Sequence, residues 1–163
     1  MESNKDKRVR APKVSLGMPV YNAEAWIDDS LKSLMAQTYT DFELVISDNA
    51  STDATADIIQ NYADADDRIR YFRNETNLGA NPNFNRVLHL SKGEYFKWSS
   101  SNDIVAETML ERCVETLDEH PDVVLCYPKT KLFESDISDA REYEDDCHIV
   151  ESTASQRFAK LLE

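Results

Sequence analysis

The stretch ELVISDNASTDATADIIQNY, Glu43 to Tyr62, changes its structural period partway along. Leu44, Val45 and Ile46 make a short apolar run bounded by polar residues, the mark of a buried strand. Ala54, Ile58, Ile59 and Tyr62 fall instead on one face of a helix. Between them lies SDNASTD, Ser47 to Asp53, rich in residues that turn a chain or cap a helix. Ser51 is the expected N-cap, with Asp53 in the first helical turn, where a carboxylate meets the positive end of the helix dipole. Strand, polar turn and helix in that order are most of a βαβ unit.

The same succession continues outward in both directions. VSLGM (14–18) precedes Ile27, Leu31 and Leu34, an i, i+4, i+7 stripe. IRYFR (69–73) and EYFKW (94–98) read as strands, and Phe84, Val87 and Leu88 outline a short helix between them. Leu110, Cys113, Val114 and Leu117 form another helical stripe, and VVLCY (123–127) reads as a further strand. Beyond Tyr127 the pattern thins to a strand in TKLF (130–133), an acidic loop, and a helix pattern from Ser155 to Glu163. Alternation of this kind implies an α/β fold, a mostly parallel Rossmann-type sheet flanked by helices on both faces. Such sheets bind ligands beyond the carboxyl ends of their strands.

Composition narrows the classes of function. A chain of 163 residues buries ~70% of its unfolded surface, and 41% apolar residues suffice for a core. The net charge of −13 excludes nucleic acid as a partner, because phosphate-backbone binding needs a basic footprint. A nucleotide held locally by backbone donors stays open. ADADD (63–67) and EYEDD (142–146) read as solvated loops. No apolar run approaches the ~20 residues of a transmembrane helix. MESNKDKRVR (1–10) is charged throughout and is no signal peptide. Of the three cysteines, Cys113 and Cys126 sit in apolar patterns, so buried free thiols in a reducing compartment are expected.

The strand ends hold the chemistry. PVYNAEAW (19–26) follows the first strand: Pro19 removes a backbone donor, and Asn22 tolerates unusual turn dihedrals. Asp48 ends the second strand, where its carboxylate either accepts from a base or ribose or belongs only to a capping loop. After the third strand, NETNLGANPNFNR (74–86) has Gly79 free to take φ > 0. After the fourth comes SSSNDIVAETML (99–110), in which Asn102 and Asp103 are either metal ligands or a helix cap. The single glycine of VSLGMPVYN excludes the G-x-G-x-x-G turn of a dinucleotide-dependent oxidoreductase.

PVYNAEAWIDDSLKSLMAQTYTDFELVISDNASTDAT (19–55), followed by NLG (77–79), GEYFKW (93–98) and ND (102–103), resembles family 2 of the inverting glycosyltransferases, which have the GT-A fold and use nucleotide-diphosphate sugars. The match runs from Lys13 to Tyr127. The resemblance implies a nucleotide-sugar-binding core over 13–127, after a disordered leader at 1–12 and before a partial, truncated continuation of the same domain at 128–163. It places Pro19, Tyr21, Asn22 and Asp48 on the nucleoside with Glu24 as a neighbour, and puts Asn77, Gly79 and Asn85 near the nucleotide.

The ND pair falls where the family carries its D-x-D motif, which binds Mg²⁺ or Mn²⁺ against the donor diphosphate. Asp103 matches the last aspartate and Asn102 the one before it, with Ser100 in place of an earlier acid. Asp103 and Asn102 are thus the implied metal ligands, the cation being weak without nucleotide, and Asn102 also faces the donor. Asp48-Asn49 stands where the family often has two acids, and Phe84 where many relatives carry Arg. The implied reaction is inverting transfer of the sugar to a glycan or lipid-linked acceptor, in polysaccharide assembly at a cytoplasmic, membrane-peripheral location. No motif selects a general base among Glu134 to Asp146, and that base is expected beyond Glu163. The alternative is a donor-binding module that no longer turns over.

Overall fold

The computed structural model describes residues 10–134 and 137–143. The chain divides into two compact units, Met1–Glu115 and Thr116–Glu163. In the first, β1 (Val14–Val20), β2 (Phe42–Asp48), β3 (Ile69–Arg73) and β4 (Tyr95–Trp98) alternate with α1 (Ile27–Met35), α2 (Thr55–Ala65) and α3 (Ala80–Leu90). A fourth helix, α4 (Met109–Glu119), follows β4. All pairings among these four strands are parallel, in the order β3-β2-β1-β4.

The register explains the core. Val14, Leu16 and Met18 lie opposite Phe42, Leu44 and Ile46, so the apolar residues of both strands share one side of the sheet. There they meet Ile27, Leu31 and Leu34 of α1, Ile59 of α2, and Met109, Leu110 and Val114 of α4. Full burial of each such side chain stabilises by about 1.5–3 kcal/mol. The other side takes α3 through Val87. A Cβ on Gly17 would lie 2.6 Å from Val87 Cγ1 and 2.7 Å from Phe96 Cζ, so the helix packs there only against glycine.

At the amino end of the strands, Ser15 lies directly opposite Glu43. The Glu43 carboxylate accepts from the Ser15 hydroxyl at 2.6 Å, the Arg70 guanidinium at 2.7 Å and the Lys92 N–H at 2.7 Å. Arg70 also donates to the Leu90 carbonyl, tying the end of α3 to the sheet. Burial alone would raise the Glu43 pKa. The Ser15, Arg70 and Lys92 donors outweigh it and hold the carboxyl below its ordinary range.

Four local expectations are corrected. In α3, Val87 is buried, but Phe84 and Leu88 are exposed and Asn83 is buried instead. The Ser47 hydroxyl donates to Asn83 Oδ1 at 2.7 Å and Asn83 Nδ2 donates to the Ser47 carbonyl at 2.8 Å, so a buried polar pair sets the phase of the helix. Ser51 does not cap α2, which begins at Thr55. VVLCY forms no strand: Val124 is 95% and Leu125 71% exposed, and no strand among the described residues pairs with it. An apolar run supplies the side chains of a strand but not a partner for its backbone. Cys113 and Cys126 are only half-buried.

In the second unit, β5 (Lys131–Leu132) pairs antiparallel with β6 (Arg141–Glu142) around a 3-10 turn at Ile137–Asp139. The helix pattern at 155–163, Cys147 and most of the acidic run 142–146 lie outside the described residues, as do residues 1–9 of the leader. Among the described residues, no helix is long and apolar enough to cross a membrane.

Candidate functional site

Beyond Val20 the chain turns through Asn22, whose φ of 49° is the left-handed conformation that asparagine tolerates. This turn and the one after β2 hold each other. The Asn22 N–H donates to the Ser51 hydroxyl at 2.9 Å, and Asn22 Oδ1 accepts from the Thr52 N–H at 2.8 Å. The Glu24 N–H donates to Asp53 at 3.2 Å while the Glu24 carboxylate accepts from the Ala54 N–H at 2.8 Å. Glu24 and Asp53 thus satisfy the donors at the start of α2 that Ser51 was expected to satisfy. Burial works against the Asp53 charge. The hydroxyl and N–H of Thr55 and the N–H of Glu24 prevail, leaving its pKa below the usual range.

Asp48 is fully buried. Its Oδ1 accepts from the Ser51 N–H at 2.8 Å, and its Oδ2 accepts from the Tyr71 hydroxyl at 3.1 Å and lies 3.4 Å from Arg73 Nε. Burial first, and then the Asp48 charge, push the Tyr71 pKa up to about 12. Asn49 is buried as well. Its amide nitrogen donates to Asn77 Oδ1 at 2.8 Å and to the Gly79 carbonyl at 3.1 Å, and its oxygen accepts from the Leu78 N–H at 2.9 Å. Gly79, at φ 84°, completes this turn ahead of α3.

Three loops are therefore joined at the carboxyl edge. They bring together Tyr21, Asn22, Glu24, Asp48, Asn49, Asn77 and Gly79, with Pro19 at the end of β1 opposite Ser47. Tyr21, Glu24, Asn77 and Gly79 are exposed. Asn85 is exposed on α3, and its side chain makes no hydrogen bond to these loops.

The loop after β4 is held by α1 and by Gln37 just past its end. The Ser30 hydroxyl donates to the Asp103 carbonyl at 2.5 Å and to the Ser100 carbonyl at 3.0 Å. Ser33 accepts from the Val105 N–H at 3.2 Å, while Gln37 donates to the Ala106 carbonyl at 2.8 Å and accepts from the Leu110 N–H at 3.0 Å. Reading α1 only for its apolar stripe misses these residues. Their i, i+3, i+7 spacing is a second, polar stripe that could have shown them. Because α4 begins at Met109, six positions past Asp103, neither Asn102 nor Asp103 caps it. Both are exposed, and Asn102 Oδ1 accepts from the Ser100 hydroxyl. Among the described residues there is no group of three or more His, Cys, Asp or Glu that could hold a metal ion. One carboxylate and one amide suit a hard cation only when a ligand brings further charged oxygens.

The loops after β1 and β4 flank the point where strand order reverses, the crevice in which open α/β sheets take ligands. The family model for glycosyl transferase family 2 matches residues 15–158. The putative glycosyltransferase EpsE of Bacillus subtilis (strain 168) is 36% identical over 110 residues, covering 67% of this chain and 40% of that protein. The GalNAc(5)-diNAcBac-PP-undecaprenol beta-1,3-glucosyltransferase of Campylobacter jejuni is 31% identical over 109 residues, covering 66% and 35%. The crystal structure of S. aureus TarS 1–349 in complex with UDP is similar with a TM-score of 0.63 and 31% identity, over 67% of this chain and 33% of that one. The chain thus spans about 40% of the length of the first curated relatives it matches. The sheet order, the strand-end loops and the family match agree: the chain belongs to glycosyl transferase family 2, with a GT-A-type fold.

Proposed function

We propose that the carboxyl edge of the sheet holds the nucleotide-diphosphate sugar of an inverting glycosyltransferase. The observation that carries this reading is the joining of the loops after β1, β2 and β3, which leaves Tyr21, Asn77 and Gly79 exposed around one strand end. TarS, similar over this region, has structures with UDP and with UDP-GlcNAc. Tyr21 and Asn22 face the nucleoside. Asp48, saturated and buried, acts through the loop it holds, and Asn49 through the Asn77–Gly79 turn. The N–H groups at the start of α3, after Gly79, suit the diphosphate.

Asp103 and Asn102 would hold a divalent cation together with the donor's diphosphate oxygens. Such a cation neutralises charge on the departing nucleotide. The acceptor hydroxyl attacks the anomeric carbon opposite the nucleotide. The new bond from carbon to acceptor oxygen forms as the bond to the diphosphate oxygen breaks, and the acceptor's proton passes to a base. A glycan or lipid-linked acceptor is supported by the Campylobacter relative, whose name carries PP-undecaprenol. A second reading, donor binding without turnover, is favoured by the single carboxylate at the metal position.

Calorimetric titration with uridine, guanosine and thymidine diphosphates, with and without Mn²⁺, tests the proposal. One nucleotide should bind, and more tightly with the metal. Absence of binding to all three overturns both readings, whereas binding without sugar transfer to any acceptor supports the second.

A further inference from the structure

We infer that the Lys97 side chain places a fixed positive charge at the diphosphate end of this site, sharing the task of the divalent cation. The inference rests on the donor-binding reading above. Lys97 lies opposite Leu16 of β1, whose side chain is in the core on the side of α1 and α4. Lys97 itself is half-buried, so its stem runs along that side while the ammonium reaches toward the strand end. Its Nζ donates at 2.8 Å to the carbonyl of Trp98, the last residue of β4 before the crevice.

Among the described residues no ion pair includes Lys97, whereas Lys13 meets Glu94 and Lys32 meets Asp28 and Asp29. Burial draws its pKa below the ordinary lysine range. Asp103 leads the two groups, the other being Cys113, whose charge works the opposite way. The ammonium is thus left without a paired carboxylate, in a chain of net charge −13, within electrostatic reach of the acid that would anchor a metal. Two positions further along the strand, the Ser99 hydroxyl is buried without a hydrogen-bond partner among the described residues. The Ser99 N–H donates to the Gly17 carbonyl, which continues the β4 ladder and places Ser99 on the same side as Lys97.

The charge balance follows. An ammonium within electrostatic reach of Asp103 opposes a dication at that carboxylate, yet it attracts a diphosphate directly. Nucleotide binding should then depend only weakly on metal, because the protein already carries part of the neutralising charge.

Titrations of uridine and guanosine diphosphate into the full chain, in EDTA and in Mn²⁺, would be run on the parent, Lys97→Met and Lys97→Arg. Mn²⁺ alone would be followed by electron paramagnetic resonance. The parent should bind in EDTA within about tenfold of its affinity in Mn²⁺. Lys97→Met should lose about tenfold or more in EDTA and clearly less in Mn²⁺, with Lys97→Arg close to the parent. Mn²⁺ alone should bind Lys97→Met several-fold more tightly than the parent. Equal losses in both conditions, or unchanged Mn²⁺ affinity, would overturn the inference. Parent binding that requires Mn²⁺ and ignores Lys97→Met overturns this inference alone, while no parent binding at all overturns the donor reading with it.

Discussion

At the amino end of the sheet, Ser15, Glu43, Arg70 and the Lys92 N–H bond to one another and to the end of α3, holding scaffold to scaffold. At the carboxyl end the polar residues also bond across loops, but they leave Tyr21, Asn77, Gly79 and Asp103 exposed. The backbone differs too: among the described residues, the left-handed φ values belong to Asn22, Ala50 and Gly79, all at the carboxyl end. One edge therefore spends its polar groups on stability, and the other uses them to hold unusual turns open to a ligand. Substitutions at the first should change unfolding without changing ligand affinity, and substitutions at the second should change both.

The largest effect should come from Glu43→Ala. It removes the acceptor of three donors and leaves the half-buried Arg70 guanidinium without its carboxylate, a loss of about 3 kcal/mol in denaturant unfolding. The pH dependence has a definite sign. The folded-state pKa of Glu43 lies below its ordinary value of 4.5, so its contribution is fully present above about that pH. It is lost as pH falls through the lower folded value, where the unfolded chain already binds the proton. Glu43→Ala should flatten this acid limb of the stability curve. An unaltered limb would mean that the network is not what the amino edge depends on.

Asp48→Asn comes next. The amide keeps an acceptor for the Ser51 N–H but loses the charge facing Arg73 and Tyr71, which should cost about 1–3 kcal/mol of stability. Since Arg73 also donates to the Ser51 carbonyl at 2.7 Å, the loop after β2 should loosen and nucleotide affinity should fall in calorimetry. Lost stability with unchanged affinity would move Asp48 to the purely structural side of the comparison.

Much of this contrast lies outside what a single sequence displays. The four strands and their helices were legible because apolar period and turn residues agree at each step. The pairing of Ser15 with Glu43 depends on strand register, and in ELVIS the glutamate reads only as a polar flank. Glu24 and Asp53 were visible as acids near a turn. That each serves the other's loop follows from a contact across some thirty positions of chain. VVLCY shows the opposite failure, since its local pattern was clear and no strand partner exists among the described residues.

Asn102→Asp probes the carboxyl edge more finely. A second carboxylate beside Asp103 adds a full negative charge where the amide offers only a dipole, and it should raise Mn²⁺ affinity of the free protein several-fold. Asp103→Asn should abolish any mutual enhancement between Mn²⁺ and nucleotide, because it removes the one carboxylate that would hold the cation against the diphosphate. If Mn²⁺ leaves nucleotide affinity unchanged in the parent and in Asn102→Asp alike, the loop after β4 is not a metal site.

The smallest effect should belong to Ala50→Gly. Ala50 has a φ of 63°, a conformation that costs an L-residue roughly 1–2 kcal/mol and costs glycine little. Glycine gives back roughly 0.4–1 kcal/mol through a freer unfolded chain, so the net gain should be about 0.5–1 kcal/mol in unfolding experiments. Gly79→Ala is the reciprocal change. A Cβ there meets nothing within 4 Å, but φ 84° with ψ 168° is a conformation essentially reserved for glycine, so its cost of about 1–3 kcal/mol is purely conformational. Asn22 cannot be treated in this way, because its side chain accepts from the Thr52 N–H and glycine would lose that bond. The affinity readout gives the pair its value. Relief of strain at Ala50 that stabilises the fold yet weakens nucleotide binding would show that the turn is held in its shape for the ligand. Stabilisation with unchanged affinity would show that the strain at this edge is incidental to binding.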